Sequence, residues 1–207
     1  MLKVGVTGGL ACGKTSVAAL LREKGCEVVN ADELGHRAME PGGPAYQAVL
    51  AAFGPDLADA EGRIRRPLLA ERVFGREGDG SRPAQVARLN AIVHPIIMAL
   101  VEERCRELAR RNPRGILVVD AALLFEAGVE GHFQKIIVVD CTPQQQMSRF
   151  AAKGLGSEEE ARRRMAAQLP RPEKLRRADF VVDASGTLEE TRRQVEAIYK
   201  ELCKVVP

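Results

Sequence analysis

The sequence predicts an open, doubly wound α/β fold: a five-stranded parallel sheet with a phosphate loop, an inserted helical lobe and a helical lid. Three observations carry that prediction. Five short apolar runs rich in Val and Ile, at 2–7, 26–29, 116–119, 135–139 and 180–182, alternate with helical or polar stretches, the pattern of strands buried on both faces. The first run leads straight into Gly8-Gly9-Leu10-Ala11-Cys12-Gly13-Lys14-Thr15, a complete G-x-x-x-x-G-K-[ST] loop followed by a helical stretch. Polar residues stand at or just beyond the carboxyl ends of the other runs: Asp32, Asp120, Asp140 and Asp183. Ligands of open α/β sheets bind at those ends.

The loop is explained residue by residue by what a polyphosphate requires. Gly8 and Gly13 let the chain wrap closely around an anion. Successive N–H groups across Gly9, Ala11, Cys12 and Gly13 can point inward, and the following helix adds the partial positive charge of its N-terminus. Lys14 would bridge the β- and γ-phosphates, Thr15 offers a hydroxyl to a phosphate-bound Mg²⁺, and Ser16 can donate to the α-phosphate. A nucleoside triphosphate is the ligand this pattern predicts.

After the loop, Val17, Leu20 and Leu21 share one helix face that Gly25 terminates. The second strand, at 26–29, is followed by 35–112, too long for a simple crossover and periodic as helix. It is assigned to an inserted lobe, in which His94-Pro95 precedes a helix carrying Ile97, Leu100, Val101, Cys105 and Leu108 on one face. Strands at 116–119 and 135–139 follow. The segment 143–177 is assigned to a lid, a helical hairpin with the capping pattern Ser157-x-x-Glu160. The last helix opens on Thr187-x-x-Glu190 and carries Leu188, Val195, Ile198 and Leu202. The nucleotide-binding core is thus expected from 1–34, 113–142 and 178–207.

The 207 residues, 45% hydrophobic and 29% charged, suit one globular domain. Five scattered cysteines without a C-x-x-C pair read as reduced thiols, and the three histidines form no metal pattern with them. The longest apolar stretch, around 91–101, falls short of the ~20 residues of a membrane span. The first strand leaves no room for a secretion signal. These features predict a cytoplasmic protein without a membrane partner. The net charge of +3 is too small to imply nucleic acid. Its distribution is uneven: between Arg149 and Arg177 seven Arg and two Lys face four Glu, giving +5, so the rest of the chain carries −2.

A phosphate loop with one insertion for an acceptor and one Arg-rich lid is the plan of small-molecule kinases, which close over the phosphates to exclude water. Arg149 and Arg164 are the lid arginines best placed to reach nucleotide. The motifs, in order, are Thr7-Gly8-Gly9 through Lys14-Thr15, Val29-Asn30-Ala31-Asp32, Glu40-Pro41-Gly42, Ile64-Arg65-Arg66 through Val73-Phe74, and Leu89-Asn90-Ala91-Ile92-Val93-His94-Pro95. They continue with Asp120-Ala121-Ala122-Leu123-Leu124-Phe125-Glu126, Gln145 with Arg149, Arg164 with Gln168, Ala178-Asp179 and Asp183-Ala184-Ser185-Gly186. Over nearly the whole chain this series resembles the dephospho-coenzyme A kinases. Four positions depart from the family pattern: Asn30 where Asp is usual, Ala122 for Pro, Lys153 for Arg and Ala184 for Asn. Lys153 is a weaker phosphate clamp than Arg.

The resemblance implies transfer of the ATP γ-phosphate to the ribose 3′-hydroxyl of dephospho-coenzyme A. Asp32 is then the candidate base for the hydroxyl proton, with helix N-capping or outer Mg²⁺ contact as its other possible roles. Asp120, with Thr15, would hold Mg²⁺. Arg66, His94 and Glu126 are implied contacts of the acceptor, and Phe74 and Phe125 are open between pocket lining and core. A nucleoside monophosphate kinase shares the loop, insertion and lid, although a phosphate acceptor would call for more arginines than Arg65 and Arg66 early in the lobe. A non-catalytic nucleotide switch would not need so long an insertion.

Overall fold

The computed structural model describes residues 1–75 and 82–206. Among them the strands are β1 (Leu2–Gly8), β2 (Glu27–Asn30), β3 (Ile116–Asp120), β4 (Lys135–Asp140) and β5 (Phe180–Asp183). The helices are α1 (Lys14–Glu23), α2 (Ala31–Ala38), α3 (Tyr46–Phe53), α4 (Arg66–Phe74), α5 (Arg82–Arg111), α6 (Pro143–Ala152), α7 (Glu158–Ala166), α8 (Arg171–Arg176) and α9 (Leu188–Val205). The five strands pair in parallel in the order β2-β3-β1-β4-β5. Each expected apolar run is a strand, and the doubly wound α/β class holds.

The chain divides into two compact units, one of residues 1–30 and 104–207 and one of residues 31–103. The sheet unit is built on the period-two alternation of its strands. Val4, Val6, Ile137 and Val139 face a core closed by Val17, Leu20 and Leu21 of α1 and Val195, Ile198 and Leu202 of α9. Ile136 and Val138 face the other side, with Leu124 and Phe125 and, partly buried, Leu169 and Leu175. Phe125 is therefore core. Leu188 departs from expectation, because it stands 60% exposed at the first residue of α9, outside the buried face. The Thr187–Glu190 capping box is present in both directions.

The basic segment holds three helices, α6 to α8, where a hairpin was expected; Pro170 breaks the chain before α8. Its capping pattern is half realised. Ser157 Oγ accepts the Glu160 N–H at 3.2 Å, but the Glu160 carboxylate turns to Arg163 and Arg164 instead of back to the cap. The complete box lies at Thr142 and Gln145, which start α6.

The second unit has its own core of Ala38, Val49, Phe53, Leu57, Leu69 and Val73, closed by Val93 with Ile96 and Ile97 of α5. Gly35 of α2 meets that helix closely: a Cβ there would stand 3.1 Å from Ile97 Cδ1. Pro95 lies inside α5, so His94-Pro95 does not open the helix as expected. A proline costs the helix one N–H bond, and the apolar contacts of Val93, Ile96 and Ile97 on the lobe core carry the helix across it. The continuous helix also changes the reading of the apolar stretch. An 18-residue window within Pro83–Arg111 has mean hydropathy 1.5 and is 11% buried, so by length and composition alone this helix could span a membrane. The stretch expected to end near 91–101 is thus part of a longer apolar helix.

Candidate active site

The phosphate loop follows β1 at the sheet's carboxyl edge. Gly8 is required by space, since a Cβ would collide with the Val139 carbonyl oxygen of β4. At Gly9 a Cβ would stand 2.8 Å from both Cys12 Sγ and the Gln146 amide. Ala11 adopts φ 53° and Gly13 φ 100°, two left-handed residues that turn the backbone around the loop's centre. Gly13 caps α1 with no side-chain acceptor and no acid in the first turn. A helix N-terminus left in that condition is built for an anion. Thr15 and Ser16 are exposed on that first turn, and Lys14 is half-buried.

Two strand ends flank the loop. Asp120 is buried at the end of β3, in register with Val6 of β1 and Asn30 of β2. The buried Thr7 donates through Oγ1 to the Ala122 carbonyl at 3.2 Å, tying the chain after Asp120 to the root of the loop. On the other flank, Asp140 ends β4. Cys141 follows it, with Sγ 3.2 Å from Cys12 Sγ and both sulfurs buried. Cys12 keeps its proton: the sulfur–sulfur hydrogen bond and burial push its pKa up. These thiols are a packed joint between the loop and β4.

The loop after β5 is held from α6. Arg149 Nη2 donates to the Ala184 carbonyl and Gln145 Nε2 to the Ser185 carbonyl, each at 2.7 Å. These bonds go to backbone, so they do not need the asparagine side chain that Ala184 lacks. A Cβ on Gly13 would stand 3.9 Å from Ala184 Cβ, which sets this segment beside the phosphate loop. Asp183 is held below the usual carboxylate range by the Ser185 hydroxyl and amide.

The expected arginines divide. Arg149 is beside the loop, through Ala184. Arg164 is engaged on its own helix and on α6: its guanidinium is bound to Glu160 at 2.9 Å and lies 5.2 Å from the Phe150 ring centre. Arg171 of the basic segment reaches the end of β4, paired with Asp140 by two bonds. A cavity lined by Gly9, Asp140, Gln146, Gln168, Arg171 and Lys174 lies between the phosphate loop and the start of α8. Glu126, expected at the acceptor, accepts the Leu169 N–H at 2.8 Å and pairs with the buried Lys174 at 2.9 Å. Arg171 and Lys174 carried no signal in the sequence beyond bulk charge. The Thr142-x-x-Gln145 box was legible as a capping pattern and went unread.

In the second unit, Asp32 is exposed in the first turn of α2. Arg66 is exposed at the start of α4. His94 is half-buried on α5, and desolvation lowers its pKa. Phe74, at the end of α4, is 47% exposed. Among the described residues no three His, Cys, Asp or Glu side chains cluster as a metal cage.

Residues 2–190 match the family model described as dephospho-CoA kinase. The chain is 40% identical to a dephospho-CoA kinase of Geobacillus kaustophilus, over 97% of this chain and 96% of that one. To that of Moorella thermoacetica it is 39% identical, over 98% and 92%. A solved dephospho-CoA kinase from Campylobacter jejuni superposes with a TM-score of 0.68 at 25% identity, covering 98% and 97%.

Proposed function

The chain belongs to the dephospho-CoA kinase family, and from that premise we propose how its residues carry out the reaction. The protein is an ATP-dependent kinase that phosphorylates dephospho-CoA, the last step of coenzyme A synthesis. The proposed acceptor atom is the ribose 3′-hydroxyl. The observation that carries the reading is the uncapped α1 N-terminus behind Gly13, in a loop whose glycines are demanded by space and by left-handed backbone.

In this reading Gly9, Ala11, Cys12, Gly13, Lys14, Thr15 and Ser16 hold the triphosphate, and Lys14 balances the charge that develops on the transferring group. Arg149 orders the Ala184–Ser185 segment beside the nucleotide, and Arg164 would join only if it exchanges Glu160 for phosphate. Asp32 is the base that accepts the hydroxyl proton. Arg66 and His94 are assigned to the acceptor. Glu126 shares that assignment through the family resemblance, although its carboxylate is already engaged by Lys174 and Leu169.

Mg²⁺ belongs to the same proposal. The Thr15 hydroxyl and Asp120 carboxylate are hard oxygen donors, which suits an ion that keeps phosphate and water oxygens for its remaining positions. Bound there, it would neutralise charge on the phosphates. Cytoplasmic action without nucleic-acid or membrane partners is part of the proposal, and cell fractionation checks it against the apolar stretch of α5.

The direct test is an acceptor screen with ATP and Mg²⁺, comparing dephospho-CoA, AMP, CMP, dTMP and adenosine. ATP consumption is expected only with dephospho-CoA, giving a 3′-phosphorylated product. A higher kcat/KM for AMP or CMP would overturn the assignment in favour of a nucleoside monophosphate kinase.

A further inference from the structure

Lys174 is 3% exposed, and its ammonium group meets Glu126 Oε1 at 2.9 Å and Gln168 Oε1 at 3.4 Å. Burying an ammonium beside a partly buried carboxylate carries a desolvation cost that their attraction offsets only in good geometry. An apolar pair of similar volume would tether α8 at least as firmly. What an ion pair adds is direction. The same Glu126 oxygen that meets Lys174 accepts the Leu169 N–H, so a single carboxylate fixes both the backbone entering α8 and a side chain one turn into it. Between these two anchors lie Pro170 and Arg171, and Gln168 immediately precedes them. The fixed segment faces Gly9 of the phosphate loop across the cavity. The other carboxylate oxygen, Glu126 Oε2, is buried without a hydrogen-bond partner, so this anion has few means of compensation besides Lys174.

We propose that Lys174 is a positioning residue for phosphoryl transfer: through Glu126 it holds the Gln168–Arg171 segment against the phosphate loop. Glu126 thereby has a part on the nucleotide side of the reaction, beside its assigned acceptor contact. The inference rests on the kinase reading but concerns the nucleotide half alone, where the loop, β3, β4 and α8 belong to one compact unit.

The test compares full-length Lys174→Met, Lys174→Arg, Glu126→Gln and the double variant Lys174→Met/Glu126→Gln. Three readouts are taken: steady-state KM for ATP and for dephospho-CoA with kcat, competition of ATP against a fluorescent ATP analogue, and thermal melting. Lys174→Met is expected to weaken ATP competition or lower kcat by about tenfold, with the KM for dephospho-CoA unchanged. Glu126→Gln should shift the same parameters in the same direction, and the double variant should be no worse than Lys174→Met. Lys174→Arg should recover part of the loss. Lower melting temperatures with unchanged ATP parameters would overturn the proposal, as would a rise in the KM for dephospho-CoA alone in Glu126→Gln. If Lys174→Met fails to fold, Glu126→Gln keeps the side-chain shape and the acceptor for Leu169, and decides by the same criteria. If the wild type does not phosphorylate dephospho-CoA, the kinase assignment fails, while ATP competition still judges Lys174.

Discussion

Asp140 and Arg171 form a two-bond ion pair, Nε to Oδ1 at 2.7 Å and Nη2 to Oδ2 at 2.6 Å, that closes the carboxyl end of β4 beside the phosphate loop. The Asp140 side chain is 12% exposed and that of Arg171 49%. The aspartate is thus fixed, and the arginine is the half that solvent or a ligand can reach. The fork geometry suits a phosphate as well as a carboxylate. The half-exposed arginine keeps the pair's net contribution modest, toward the about 0.2–1 kcal/mol of exposed pairs and away from that of a fully buried one.

Removing Arg171 should therefore act through charge more than through stability. Arg171→Ala leaves the Asp140 carboxylate uncompensated near an anionic ligand, so the KM for ATP should rise about 2–5-fold, the equivalent of the ~0.5–1 kcal/mol such a pair carries. Adding Asp140→Asn should return it toward the wild-type value. Steady-state kinetics of the two single variants and the double variant measure this. A double variant worse than Arg171→Ala would mean that Asp140 has its own favourable part in binding.

Much of this centre was legible because local chemistry dictates it. The phosphate loop needs glycine where Val139 and Cys12 approach and left-handed backbone at Gly13, and those demands are written into consecutive residues. The strands announce themselves by β-branched runs. The pairs Asp140–Arg171 and Glu126–Lys174 join residues 31 and 48 apart, and no periodicity encodes such a meeting. Arg164 and Arg171 look alike in a basic segment; only the positions of Glu160 and Pro170 send one to a neighbouring acid and the other to the strand ends. His94-Pro95 misled for a related reason, since proline normally marks a helix start and here the lobe core holds the helix through it.

Lys14 makes the sharpest separation of chemistry from folding. Lys14→Ala should lower kcat by about 10²-fold or more, the usual loss when one charge-stabilising contact to a developing anion is removed. Its melting temperature should stay near wild type, because α1 is anchored by Val17, Leu20 and Leu21, which the substitution leaves in place. Near-normal turnover would show that the loop does not hold the reactive phosphate.

His94 gives a pH signature. Burial lowers its pKa in the folded protein below 6.5, so between that depressed value and 6.5 the unfolded chain binds the proton that the folded chain refuses. Stability rises with pH wherever the unfolded state binds more protons. The contribution is therefore present above 6.5 and lost as pH falls through the folded value. Replacing the imidazole with an amide, His94→Gln, should flatten the fall in melting temperature as pH drops below about 6.5. Parallel profiles for wild type and variant would place the titration elsewhere.

Asp32 stands exposed in the first turn of α2, directly after β2, where a carboxylate can serve as a base or as an outer ligand of Mg²⁺. The two roles separate under one substitution. Asp32→Asn keeps size and hydrogen bonding but removes the proton acceptor, so a base predicts a fall in kcat of about 10²–10⁴-fold with ATP affinity nearly unchanged. A metal-side role predicts a raised Mg²⁺ requirement, with much of the rate recovered at excess metal. Titrating Mg²⁺ at saturating dephospho-CoA, with ATP affinity measured separately, reads both. We expect the rate of Asp32→Asn to stay low at every Mg²⁺ concentration. Recovery by metal would reassign the residue, and full activity at the Mg²⁺ concentration that suffices for the wild type would remove it from the reaction altogether.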